Sequence, residues 1–168
     1  MVLFELDVYV RGLIPFPVPE GNRVADMIED IMRSSGALRV TNSPSTIANY
    51  QGWAIQSAAC PPTISFVDYI IRRLSGVLDD VTGAHLPLKI KIHFSYVGDL
   101  HASPTQELEF RMLEDAIKTS FEIAGWLTYF IDEQVENFIS RGRRGIEYTD
   151  TYTLLDRHEL QIRSTFFL

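Results

Sequence analysis

Histidine is the side chain best suited to binding a metal or moving a proton near neutral pH, and three of the four in this chain, His85, His93 and His101, fall within seventeen residues. Leu88 to Val97 alternates apolar with polar residues and predicts a strand. On that strand His93 lies mid-way on the polar face, and His85 and His101 fall in loops at opposite ends. At about 3.3 Å per residue most of the strand separates them, so they cannot share one ion. The single Cys60, beside Pro61 and Pro62, has no second cysteine to pair with for zinc and reads as a small buried apolar residue. The acidic pairs Glu29-Asp30, Asp79-Asp80, Glu114-Asp115 and Asp132-Glu133 all fall on predicted helices. Neighbours there point roughly 100° apart and do not make a shared carboxylate site. The sequence holds no GxSxG, GxGxxG, Walker or HExxH pattern, which removes the common hydrolase, nucleotide and zinc-protease readings. No catalytic residue, metal ligand or cofactor is assigned. An enzyme reading would have to rest on His93 with Tyr96 or Asp99 in a cleft beside the sheet.

The elements that must position these residues follow from periodicity. Residues 2–11 alternate as a strand, with Phe4, Leu6, Val8 and Val10 on the buried face. Pro15, Pro17 and Pro19 then forbid a helix and favour an extended loop. Asn22 caps a predicted helix over 23–35, whose apolar stripe is Val24, Met27, Ile28 and Ile31, with Gly36 as its stop. Short strands at 37–41 and 52–57 flank a polar loop, Asn42-Ser43-Pro44-Ser45. Ser65 and Asp68 form a capping-box pattern ahead of a second helix that ends at Gly83. Strand 88–97 is expected at the centre of the sheet. Ser103-Pro104-Thr105-Gln106 opens a third helix, in which apolar residues recur every three or four positions from Phe110 to Phe138, giving a helix of about 104–140. Ile146–Leu154 and Glu159–Leu168 form a C-terminal hairpin around Asp156-Arg157-His158. The order β-α-β-β-α-β-α-β-β predicts an α+β fold with a mostly antiparallel or mixed sheet in one domain, 1–168.

A helix over 104–140 would be about 55 Å long at ~1.5 Å per residue, against a diameter of about 40 Å for a globule of this size. Either Gly125 breaks it, or its far end, with Ile131, Val135, Phe138 and Ile139, packs on a partner. A second copy is the simplest partner. The loop residues Leu13, Ile14, Phe16 and Val18 offer a second apolar surface. The helix carries mostly acidic residues on its polar face and would attract a basic protein. Arg141, Arg143 and Arg144 would complement its C-terminal dipole. Given a formal net charge of −7, those arginines are also the only place where nucleic acid could bind. The first residues do not read as a secretory signal, no apolar run approaches the ~20 residues of a membrane-spanning helix, and the lone cysteine fits a reducing compartment. A cytoplasmic or otherwise intracellular location is expected.

A strand ending in Val10-Arg11, then Pro15-Phe16, then a helix containing Val24-Ala25, followed by a Tyr50 to Pro62 stretch around Trp53-Ala54-Ile55, resembles the globular core of rhabdovirus matrix proteins over about the first 60 residues. The chain departs from that family in lacking a basic, proline-rich leading tail and a net positive charge. The resemblance therefore implies self-association and nucleocapsid binding rather than membrane association and budding. Together these readings point to a non-enzymatic, self-associating protein-interaction or structural module, matrix-like and viral. The alternative is an acidic inhibitor or immunity-type protein that binds a basic partner.

Overall fold

A computed structural model of the chain describes residues 3–99, 105–124, 128–140, 143–154 and 157–167. The fold is α+β. Strands β1 (Leu3–Gly12), β2 (Thr41–Ile47), β3 (Tyr50–Ser57), β4 (Leu88–Asp99), β5 (Thr128–Ser140), β6 (Arg143–Leu154) and β7 (His158–Phe167) form one seven-stranded sheet in the order β2-β3-β1-β4-β7-β6-β5. Neighbours are antiparallel except β4 and β7, which run parallel. Parallel neighbours need a long crossover, and α3 (Gln106–Ile123) begins it.

Helices α1 (Pro19–Ser34), α2 (Ile64–Gly83) and α3 all pack on one face of the sheet. Side chains alternate between faces along a strand, and the registers Val8↔Ile55, Val8↔Ile92 and Ile92↔Leu160 put these residues on a common face. Helix α1 rests on that face where Gly21 meets the Trp53 ring. Phe66 of α2 meets Phe4 edge-on with ring centroids 6.3 Å apart, and Phe110 of α3 lies 5.2 Å from Tyr96. Phe4, Leu6, Val8 and Val10 of β1, with Leu88, Ile90, Ile92, Phe94 and Tyr96 of β4, are buried beneath the helices. The opposite face carries no helix among the described residues.

The expected helix over 104–140 is corrected. Helix α3 stops at Ile123, and residues 128–140 are strand β5, paired along its length with β6. The cause is local chemistry: Thr128, Tyr129, Phe130, Ile131 and Val135 are β-branched or aromatic residues that favour a pleated surface. A step of four residues also preserves strand parity, so Ile131, Val135 and Ile139 fit either period. Along β5 those three hold register positions of one parity and Phe138 a position of the other. Gly125 and Arg141 lie outside the described residues. Arg143 and Arg144 open β6 instead of following a helix C-terminus.

Smaller expectations also shift. Asn42-Ser43-Pro44-Ser45, expected as a loop, lies within β2, an edge strand with nearly every residue exposed. A strand with no buried face shows no apolar alternation, and a proline is tolerated at an edge because its missing N–H costs no ladder bond. Ala48 (φ 50°) and Asn49 (φ 69°) make the two-residue turn to β3, the left-handed pair that a type I′ hairpin requires. Helix α1 begins at Pro19 rather than after Asn22, because proline is pre-set for the first helical turn. Thr63, not Ser65, caps α2 by accepting the Phe66 N–H at 3.2 Å.

A Cβ placed on Gly21 would come within 2.3 Å of the Trp53 ring. Gly21→Ala is therefore expected to destabilise the fold by about 1–3 kcal/mol through overpacking, read as a lowered urea midpoint with an unchanged m-value.

Candidate functional site

The uncovered face of the sheet has a hole in it, and the sequence explains why. Gly52 pairs with Arg11 on one side and Ser45 on the other, while Ala54 pairs with Tyr9 and Ser43. These face-sharing positions on β3 carry no side chain or a methyl group, whereas Tyr9, Arg11, Ile47 and Tyr50 stand around them. The result is a cavity of about 250 Å³ lined by Tyr9, Val10, Arg11, Ser45, Ile47, Tyr50, Gly52, Trp53 and Ala54. Its walls are mostly apolar, with one positive charge and no carboxylate. The Arg11 guanidinium carbon lies 4.7 Å from the Tyr50 ring centroid, a cation–π contact. The volume is below the ~300–1,000 Å³ of small-molecule and cofactor sites and suits a single side chain.

Next to the cavity the chain makes a braced excursion. After Gly12 the loop leaves the sheet, tied by the Leu13 N–H to the Pro87 carbonyl at 2.8 Å. Val18 brings it back, its Cγ2 lying 3.4 Å from where a Gly12 Cβ would stand. Between these ties Leu13, Ile14 and Phe16 are exposed, Phe16 at 65%. Pro15 and Pro17 restrict the backbone there, so presenting the aromatic ring costs little further chain entropy. Val18, expected from the sequence to share this apolar surface, is 3% exposed and belongs to the core.

A polar row crosses the same sheet face further along. His93 is 8% exposed, with Nδ1 3.8 Å from the Asp7 carboxylate. Its Nε2 is buried without a hydrogen-bond partner among the described residues. Burial first, then the charges of Arg163 and Lys91, push its pKa down to about 4, so the ring is neutral at physiological pH. Burial, reinforced by Glu5, raises the Asp7 carboxyl above its ordinary range. The Tyr9 hydroxyl donates to Asp7 and accepts from the Gln56 amide, both at 3.4 Å, and Arg163 donates to Ser95 Oγ at 3.3 and 3.4 Å. A polar cavity of about 300 Å³ opens beside this row, lined by Glu5, Asp7, Arg39, Thr41, Gln56 and Ala58 but not by His93.

The grouping of His93 with Tyr96 on which an enzyme reading would have to rest does not form. Three residues apart on one strand, they occupy opposite faces, and Tyr96 is buried among Phe110 and Phe166. Asp99 closes β4 about 20 Å along the strand from His93. His85 sits in the turn after α2, His101 lies outside the described residues, and His158 opens β7. His158 is fully buried, accepts the Ile90 N–H on Nδ1 at 3.0 Å and places Nε2 3.4 Å from Thr82 Oγ1. It joins α2 to the sheet, a structural role the sequence did not signal. The cavity over Gly52 leaves only one trace in the sequence, the small residues Gly52 and Ala54 at alternate strand positions.

Charge divides between the layers. The three helices carry twelve acidic and six basic residues, and so hold nearly all of the chain's net −7. No helix among the described residues is long and apolar enough to cross a membrane.

Three buried groups give measurable consequences. His93 and His158 both have pKa values lowered to about 4, from about 6.5 when unfolded. Between those values the unfolded chain holds protons that the folded chain does not, so the histidine contribution to stability falls as pH drops from about 6.5 to about 4 and is constant below. Each histidine contributes a slope of up to about 1.4 kcal/mol per pH unit. Urea titrations across that range should show His93→Gln losing about one proton's share of the slope. Burial raises the Cys60 thiol to about 11, so iodoacetamide should label it only on unfolding. No family model, curated protein or solved structure matches this chain.

Proposed function

We propose that the chain is a non-enzymatic, self-associating protein-interaction module with a structural role. The observation that carries this reading is an exposed aromatic side chain on a proline-braced loop, set beside an apolar cavity of side-chain size. Exposed apolar groups held rigid at the surface favour association, because fully burying one large side chain gains about 1.5–3 kcal/mol. Of the residues that resemble rhabdovirus matrix proteins, Val10-Arg11 and Trp53-Ala54 line this cavity and Pro15-Phe16 lie in the loop, while Val24-Ala25 and Ile55 are core. That resemblance supports a matrix-like viral protein, with a nucleocapsid as a further partner and an intracellular setting.

A second reading rests on the helix layer. Twelve acidic residues against six basic ones suit an inhibitor or immunity-type protein that covers a basic partner, and such binding weakens steeply with salt.

Sedimentation equilibrium separates the readings. The self-associating module is expected at about twice the 19.1 kDa chain mass. Phe16→Asp should weaken association at least about a hundredfold, since two rings are lost per dimer. Its far-UV circular dichroism should stay unchanged, because Phe16 is exposed. A wild-type mass of 19.1 kDa at high micromolar concentration would remove the self-association reading.

A further inference from the structure

The geometry points to a closed, two-fold dimer in which each copy places Phe16 in the cavity over Gly52 of the other. This rests on the self-association reading and adds the occupant, the receptor and the symmetry.

Three features of the site identify a second copy as the occupant. The first is size and shape: the cavity holds about 250 Å³ between Tyr9, Ile47 and Tyr50, room for one aromatic ring and too little for a cofactor. The second is chemistry, since an aromatic-walled groove suits an extended proline-flanked segment, and Pro15-Phe16-Pro17 is such a segment exposed on this chain. The third is charge: Arg11 gives the cavity one positive charge and no carboxylate, while the loop runs through Pro19 into the exposed Glu20 at the start of α1.

The symmetry follows from how near the two halves lie on one copy. Arg11 lines the cavity and Phe16 lies five residues on, so their Cα atoms are at most about 18 Å apart, under half the roughly 40 Å diameter of a globule this size. When a projection and its receptor are neighbours, a two-fold axis between them satisfies both at once, and no free site remains to recruit a third copy. A projection and receptor on opposite sides of the molecule would instead build an open filament.

Two full-length variants test this. Phe16→Asp removes the projection and keeps the cavity. Ala54→Leu fills the cavity and keeps the projection. Each alone should run as a monomer, with association weakened at least a hundredfold. An equimolar mixture should restore one of the two contacts and yield a heterodimer, weaker than the wild-type dimer, seen by sedimentation and by native mass spectrometry of an isotopically labelled partner. Unchanged circular dichroism for both variants excludes misfolding as the cause. An Ala54→Leu protein that dimerises like wild type would overturn the inference and leave self-association standing. So would a wild-type mass that keeps growing beyond two copies with concentration. A monomeric wild type would instead remove the underlying functional reading.

Discussion

The period-two alternation of side chains in β4, the central strand, governs the rest of the molecule. Leu88, Ile90, Ile92, Phe94 and Tyr96 are buried on one side, and that side must take the helices because burying it supplies much of the stability. The alternate residues Lys89, Lys91, His93 and Ser95 are thereby committed to the opposite face. Register carries the same division to β1 and β7, and through β1 to β3 and β2. A one-residue slip anywhere would exchange the faces, so the helix-covered core and the uncovered surface are one choice made once.

That surface is not uniformly polar, and its two regions differ in what their side chains leave open. Around β4 the row of Asp7, His93, Ser95 and Arg163 is largely satisfied internally, and burial keeps His93 neutral. Around β3 the small residues Gly52 and Ala54 leave an apolar hollow whose filling is favourable. The proposed interaction site is this hollow, at the hairpin end of the sheet, where the braced loop also emerges.

Much of this was legible in the sequence where one face of an element is buried. Alternation located β1 and β4, a 3.6-residue stripe located α1 and α2, and the C-terminal hairpin was visible in its β-branched residues. The failures share a physical origin. In residues 128–140 a spacing of four fits helix and strand alike, and the composition of Thr128 to Ile131 was the better guide. In β2 neither face is buried, so there was no pattern to find. Leu13, Ile14 and Phe16 could be picked out because prolines exclude regular structure, but Val18 looked identical in composition and is held in the core by its approach to Gly12. The cavity depends on which small residues become neighbours across three strands, and only the register reveals that.

Hydrogen–deuterium exchange compared above and below the concentration of association tests the central claim most directly, because it reports where copies touch. Residues 13–18 and 45–54 are expected to gain protection together as concentration rises, with the outer faces of the helices unchanged. Protection confined to the helices, or no concentration dependence in either segment, would contradict an interface built from the loop and the cavity.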